Sequence, residues 1–374
     1  VSYLHYAWIN ILQTLFRVLP FPCRTGLIKI GFPGRDSPVL LTCNFRLTVE
    51  RVTRAIQGID AYLLVANSRG INVWCAATGG LLTNHDVIAV LKTSGIEDLV
   101  DHRQLILPQL AATGIEGEVV HRKTGWTVVW GPVRASAIPA FLKAGSQAAE
   151  RMRSIDFPWP QRLEMAVAWA FPISLLALLL FLFWPQGVPA VVTLVWALSA
   201  LIFLSFPLYH ERLRTTGGRI ALPLLLWLLF MAALLGVTIY VGSLSWPLAI
   251  RWSAISLIVA VVLTVDLMGS TPVYKGGFQE DRLLHIALDG ELCTGVGLCE
   301  QVCPRDVLEV DYRQRVTTVA KADDCVQCGA CIVQCPCDAL HFRSTTGAVV
   351  PPDTVRRFKV NLLGRRLVAS ARAA

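Results

Sequence analysis

Charge is scarce in this 374-residue sequence: Asp, Glu, Lys and Arg make up 16% of it, against 54% hydrophobic residues. Soluble domains carry about 25% charged residues. The shortage excludes an ordinary water-soluble globule and points to membrane spans. No G-x-G-x-x-G occurs, so nothing supports a dinucleotide site, and no internal repeat or low-complexity tract stands out. No signal peptide is visible either. Residues 5–19 are apolar but interrupted by Asn10, Gln13 and Arg17, and residues 1–30 read as an interfacial helix. The chain opens on Val1 without a methionine, which leaves its natural start open. The net charge of +8 lacks the interleaving of aromatic and basic residues that a nucleic-acid groove uses. Its Lys and Arg gather beside apolar spans and in the tail, a pattern of membrane topology and lipid-surface attraction.

Three regions differ in pattern. From residue 31 to about 155, short apolar runs alternate with helical stretches. Runs at 39–42, 61–65, 105–107 and 127–130 read as strands. Stretches after Thr48, Thr83 and Ser136 read as helices. The alternation predicts an α/β domain over 31–155. Residues 163–270 form a transmembrane domain, with spans at about 165–184, 188–209, 220–242 and 247–269, each long enough for a ~30 Å hydrocarbon core. The linkers at 185–187 and 243–246 carry no charge, whereas 210–219 holds Arg212, Arg214 and Arg219. Arg151, Arg153 and Arg162 precede the first span and Lys275 follows the last. By the positive-inside rule both ends are cytoplasmic, which makes a multi-pass protein of the cytoplasmic (inner) membrane. Trp184 and Trp246 fall at the outer interface, and Arg251 and Asp266 near the ends of the last span, where long side chains snorkel. Residues 346–374 form a basic tail with Arg356, Arg357, Lys359, Arg365 and Arg366, suited to an anionic membrane surface or to plain solvation.

Eight of the eleven cysteines lie between Cys293 and Cys337. The run Cys325-x2-Cys328-x2-Cys331-x3-Cys335-Pro336 has the spacing of a bacterial-type two-cluster ferredoxin, in which three thiolates wrap one cubane and the fourth reaches its neighbour. The other half, Cys293-x5-Cys299-x3-Cys303-Pro304, has Val296 where a cysteine belongs. Crossed ligation therefore gives one complete [4Fe–4S] cluster on Cys303, Cys325, Cys328 and Cys331. Cys293, Cys299 and Cys335 are left for a second site. Three thiolates suit a [3Fe–4S] cluster or a [4Fe–4S] cluster with an exchangeable iron; an empty half-site is the remaining option. Cys337 has no such spacing. Thiolate clusters belong in a reducing compartment, which again places this α+β ferredoxin domain, 283–345, in the cytoplasm. Its role is electron relay.

The N-terminal region contains Asn72-Val73-Trp74-Cys75-Ala76-Ala77, then His102-Arg103-Gln104-Leu105-Ile106-Leu107-Pro108-Gln109-Leu110 and Gly131-Pro132-Val133-Arg134-Ala135. These strings resemble the corrinoid protein of mercury methylation (HgcA-like), and the C-terminal region resembles its ferredoxin partner (HgcB-like), so the chain resembles a fusion of the two. It also resembles the corrinoid iron–sulfur protein of the acetyl-CoA pathway. After the two alanines the mercury family continues Gly-Lys, where this chain has Thr78-Gly79-Gly80. The resemblance implies a Rossmann-like domain binding a cobalamin-type corrinoid, with residues 72–77 on a cap helix and Cys75 as the lower axial cobalt ligand. A thiolate there enriches electron density at cobalt. Ala76 and Ala77 allow close approach, and Trp74 shields the site. Cys23, Cys43 and His102 read as structural.

The expected function is corrinoid-dependent methyl transfer, with Hg(II) as acceptor and the fused clusters reducing the corrinoid. One alternative is a corrinoid methyl carrier in one-carbon metabolism of the acetyl-CoA type; another is a membrane electron-transfer subunit without corrinoid. Expected partners are the membrane, a methyl-donor protein or a methyl-corrinoid or methyltetrahydrofolate system, and an upstream electron donor.

Overall fold

The computed structural model describes residues 3–17, 19–214, 216–241, 245–270, 284–344 and 346–358. The chain divides into two compact units. One holds residues 1–7, 20–155 and 279–374; the other holds 8–19 and 156–278.

The first unit is built on a five-stranded sheet of β1 (Gly26–Ile30), β2 (Val39–Cys43), β3 (Ala61–Ala66), β4 (Gln104–Pro108) and β5 (Thr127–Gly131), in the order β1-β3-β2-β4-β5. Strands β2 to β5 run parallel, while β1 pairs antiparallel with β3 at the edge. The continuous apolar runs of β2 and β3 are buried throughout, as strands covered on both faces must be. Leu40, Leu63 and Ile106 pack with Val49 and Val52 of helix α2 (Arg46–Ala55) and with Phe141 of α6 (Ile138–Lys143). The opposite face is covered by α4 (Asn84–Thr93) against β3 and by α5 (Gly117–Thr124) against β5. The Asp86 carboxylate accepts from the Thr83 amide and hydroxyl, which fixes the start of α4. Strand β1 lies ahead of residue 31, where sequence patterning placed the start of the domain.

The ferredoxin region of the same unit carries β6 (Leu284–Leu288), β9 (Leu340–Ser344) and β10 (Val349–Val350) in one sheet, and β7 (Leu308–Asp311) and β8 (Val316–Val319) in a hairpin. Two five-residue helices, α13 (Leu298–Val302) and α14 (Ala330–Gln334), carry the cysteine motifs. The expectation that residues from 346 onward form a tail is corrected in part. Val350 and Val355 are fully buried, and α15 (Pro352–Phe358) packs on α14 and β9. Arg356 donates to the Cys335 carbonyl at 2.9 Å and pairs with Asp338, so it braces the cluster domain. Lys359, Arg365 and Arg366 lie outside the described residues.

Among the described residues of the second unit, three helices are long and apolar enough to cross a membrane: Pro185–Leu204, Ile220–Tyr240 and Trp246–Thr264. Only 6% of the Ile220–Tyr240 window is buried, which is compatible with a helix that crosses a membrane. The span expected at 165–184 differs from the other three. Helix α8 (Trp159–Ala177) ends at Ala177 and tightens into a 3-10 stretch, Leu178–Leu182. Its opening turns carry Gln161, Arg162 and Glu164. The Ser199 hydroxyl donates to the Ala166 carbonyl, tying α8 to α9 (Val188–Leu204). Arg251 stacks on the Trp184 ring at 4.6 Å and so gains a partner inside the apolar segment. Lys275 and the side chain of Asp266 lie outside the described residues.

Candidate functional site

The carboxyl ends of β2, β3 and β4 meet at one edge of the sheet, and the chain leaves β2 and β4 toward opposite sides. Such a switch point opens a crevice where α/β sheets bind ligands. Asn44 follows β2 and organises it. Its Oδ1 accepts from the Ser68 amide, the Ser68 hydroxyl and the Gly70 amide at 2.8, 2.9 and 3.0 Å. Gly70 has φ +73°, and a Cβ there would come within 2.5 Å of the Pro22 nitrogen, so only glycine lets the chain turn here.

The ordered loop delivers helix α3 (Val73–Thr78). Asn72 caps it, accepting the Cys75 amide proton at 3.0 Å, and its Nδ2 donates toward Cys75 Sγ at 3.4 Å. Cys75 is exposed, Trp74 is half-buried, and Val73, Ala76 and Ala77 are buried against the domain. The helix therefore presents a thiol outward and packs its small residues inward on the domain. Beneath it runs the 3-10 segment Gln109–Thr113, which continues from β4 and packs against α3. A Cβ at Gly114 would clash with the Ala77 and Leu82 carbonyls at 2.7 and 2.6 Å, so the contact with α3 is backbone to backbone. Gln109 itself is 1% exposed, and neither its Oε1 nor its Nε2 has a hydrogen-bond partner. A buried unpaired amide costs about 1–3 kcal/mol. An exposed thiol, with an orphaned buried amide in the segment that packs beneath its helix, fits a cofactor that carries polar edges.

The other N-terminal candidates are structural. The Gln104 amide donates to His102 Nδ1 at 3.2 Å, which leaves the proton on Nε2 to donate to the Ser37 carbonyl at 3.0 Å. Cys43 is fully buried at the end of β2, and Cys23 Sγ donates to the Asn44 carbonyl.

The cluster cysteines separate into two groups. Cys303, Cys325, Cys328 and Cys331 line one cavity of about 340 Å³, the crossed set that the spacing implies. Backbone amides of Val307 and Gln327 donate to Cys303 and Cys325 Sγ at 3.3 and 3.4 Å, contacts that tune a cluster's potential. Burial raises the pKa of the Cys303, Cys328 and Cys331 thiols, so iron must displace protons to bind there. Cys293, Cys299 and Cys335 line a second cavity of about 300 Å³, together with Val296 and Cys337. Cys337 Sγ lies 3.7 Å from Cys335 Sγ and 3.7 Å from the Thr294 hydroxyl, on the loop that carries Val296. Burial opposes ionisation of Cys293, but hydrogen bonds from Thr317 and the Gly295 amide outweigh it and lower its pKa. Among the described residues no three His, Cys, Asp or Glu side chains converge on a single ion. Cysteines spaced around a cavity suit a multi-iron core instead.

Sequence spacing missed Gln334, which joins the two regions of this unit. Its Nε2 donates to the Ala112 and Ile115 carbonyls at 2.8 and 2.6 Å, and its Oε1 accepts from the Gly117 amide at 3.2 Å. Gln334 is the last residue of α14, next to Cys335, and the backbone it grips continues the segment under α3. A second tie joins the Ile155 amide to the Pro304 carbonyl and Arg305 to the Ile155 carbonyl, at 2.8 and 2.9 Å.

Comparison with known proteins falls along the same division. Residues 10–142 match the CO dehydrogenase/acetyl-CoA synthase delta subunit family, and residues 284–339 match the 4Fe-4S dicluster domain. The acetyl-CoA decarbonylase/synthase complex subunit gamma of Methanopyrus kandleri is 39% identical over 126 residues, 33% of this chain and 27% of that protein. Its counterpart from Archaeoglobus fulgidus is 36% identical over 126 residues, 33% and 26% of the two chains. The corrinoid/iron-sulfur protein large subunit of Moorella thermoacetica is 33% identical over 128 residues, 34% and 28%. The chain thus spans only about a quarter of the length of these relatives. These matches carry the acetyl-CoA alternative rather than the mercury-methylation reading that the motifs first suggested. The N-terminal third of the chain is related to the corrinoid iron–sulfur proteins of acetyl-CoA metabolism, and its C-terminal region to the 4Fe-4S dicluster domains.

Proposed function

We propose that this protein is a membrane-anchored corrinoid methyl carrier of acetyl-CoA-type one-carbon metabolism, with the iron–sulfur domain that keeps its cofactor reduced built into the same chain. The observation that carries this reading is the exposed Cys75 on a helix capped by Asn72, above the crevice at the strand ends. When bound there, a corrinoid supplies a cobalt centre that accepts and releases a methyl group. There Cys75 would hold the group and Asn72 would orient the thiol, while the small Ala76 and Ala77 seat the helix close on its own domain. Gln334 fixes the cluster-bearing helix to the segment beneath α3, so electrons from the clusters have a short, packed route to the crevice.

The same contact bears on topology. Residues 112–117 and Gln334 share one unit, so both regions lie on one side of a membrane and the chain between them crosses it an even number of times. Three apolar helices then need a fourth crossing, for which the segment 159–182 is the available stretch. By the positive-inside rule, Arg151, Arg153 and Arg162 favour the cytoplasm for that side.

A second reading, Hg(II) as the methyl acceptor, is favoured by the Asn72–Ala77 string and by the outward thiol, a soft ligand suited to soft metals. The two separate by assay. The anaerobically purified, cobalamin-loaded chain is offered Hg(II) or a nickel–thiolate acceptor protein of the acetyl-CoA type, and the labelled methyl group is followed. Transfer to the protein acceptor alone supports the carrier. Transfer to Hg(II) alone sinks it in favour of the second reading.

A further inference from the structure

The strand-end edge of the sheet carries a group that the Cys75 reading does not use. Gln109 is the first residue after β4, at the strand end that borders the switch point, and Asn44 stands at the matching position after β2. The two differ in one respect. Asn44 Oδ1 accepts three protons from the loop after β3, whereas the carboxamide of Gln109 is buried with neither end bonded. A fold gains nothing from an unpaired amide in that position, since leucine fills similar space without the desolvation cost. Arrangements of this kind persist where a ligand makes the missing bonds.

We propose that Gln109 is a corrinoid-recognition residue whose carboxamide pairs with one of the peripheral amide arms of the corrin ring; this rests on the corrinoid reading above. Two orphaned atoms, one donor and one acceptor on the same planar group, are matched by a second primary amide in a reciprocal pair. Nε2 donates to the arm's carbonyl, and Oε1 accepts from its NH2. A flat macrocycle cannot reach a side chain that is 1% exposed, but a flexible arm can enter the crevice beside α3. The pairing would also read orientation, because Cys75 fixes the face of the ring while Gln109 fixes its rotation.

The test uses the full chain in detergent, with hydroxocobalamin and with a heptamethyl ester of cobyrinic acid, whose arms lack N–H groups. Gln109→Leu should raise the melting temperature of the corrinoid-free protein by a few degrees. It should weaken hydroxocobalamin binding roughly tenfold or more, the value of a bonded amide pair near 1.4 kcal/mol. Ester affinity should fall less than hydroxocobalamin affinity, since the ester carbonyl can accept from Nε2 but offers no proton to Oε1. Gln109→Met, unbranched and closer in shape, replaces the leucine variant if that fails to fold. Unchanged hydroxocobalamin affinity in a folded variant overturns the proposal, as does equal weakening toward both corrinoids. A wild-type protein that binds neither corrinoid overturns the corrinoid reading itself.

Discussion

The Gln334 amide and the Ala112 carbonyl, 222 residues apart in sequence, are hydrogen-bonded at 2.8 Å. With the Ile115 and Gly117 bonds, one side chain satisfies three backbone groups and seats the cysteine-rich region on the α/β region of the same unit. Replacing Gln334 by Ala leaves those groups unpaired, at about 1–3 kcal/mol for each that water does not reach. Hydrogen exchange at residues 112–117 should rise by more than tenfold, and electron delivery to bound cobalamin should slow while cluster content stays at the wild-type level. Unchanged exchange would show that the Ile155–Pro304 tie is sufficient.

Asn72→Ala removes the cap of α3 and the amide that points at Cys75 Sγ. A lost cap costs about 1 kcal/mol. Here that should appear as local fraying of residues 73–78, with cobalamin affinity reduced and the global melting temperature nearly unchanged. Asn72→Asp, which keeps the accepting oxygen, should restore the helix.

Much of this was legible in the sequence, and the rest was hidden for identifiable reasons. The parallel strands announce themselves as apolar runs because both their faces are covered. Cys337 apart, the cysteines that line the two cavities stand out by spacing alone. Strand β1 does not, since Gly-Leu-Ile-Lys-Ile is a short edge run without alternation. Helix α5 is masked by polarity, with Val120 as its one fully buried residue. Asn44, Gln109 and Gln334 are invisible because their meaning lies in partners far along the chain, or in the lack of one. The position of Gln109, directly after an apolar strand, is the one signal that was available.

The second cluster site is incomplete by spacing but not in space. Cys337 shares a cavity with Cys293, Cys299 and Cys335 and faces the loop of Val296. Its sulfur is closer to Cys335 Sγ than ligands of two different irons stand, and a χ1 turn separates them. The expected outcome is about eight irons per chain and two reduced [4Fe–4S] signals in electron paramagnetic resonance. Cys337→Ala should expose an oxidised [3Fe–4S] signal, and adding Val296→Cys should abolish it. A [3Fe–4S] signal in the unmodified protein would show that Cys337 plays no part.

Even crossing number is open to a direct check. Reporters inserted after Arg153 and near residue 280 should both report the cytoplasm, and one between 184 and 188 the far side. Opposite locations for the first two are incompatible with the Gln334 contact.

The most direct measurement is the visible spectrum of the cobalamin-loaded chain beside its Cys75→Ala variant, both anaerobic and both with full cluster content. If Cys75 holds the cofactor, the wild type shows a thiolate-ligated corrinoid spectrum. The variant then shows a spectrum without that feature, together with weaker cobalt retention and loss of methyl transfer. Identical spectra and equal cobalt retention would contradict the assignment and return Cys75 to the status of an exposed thiol.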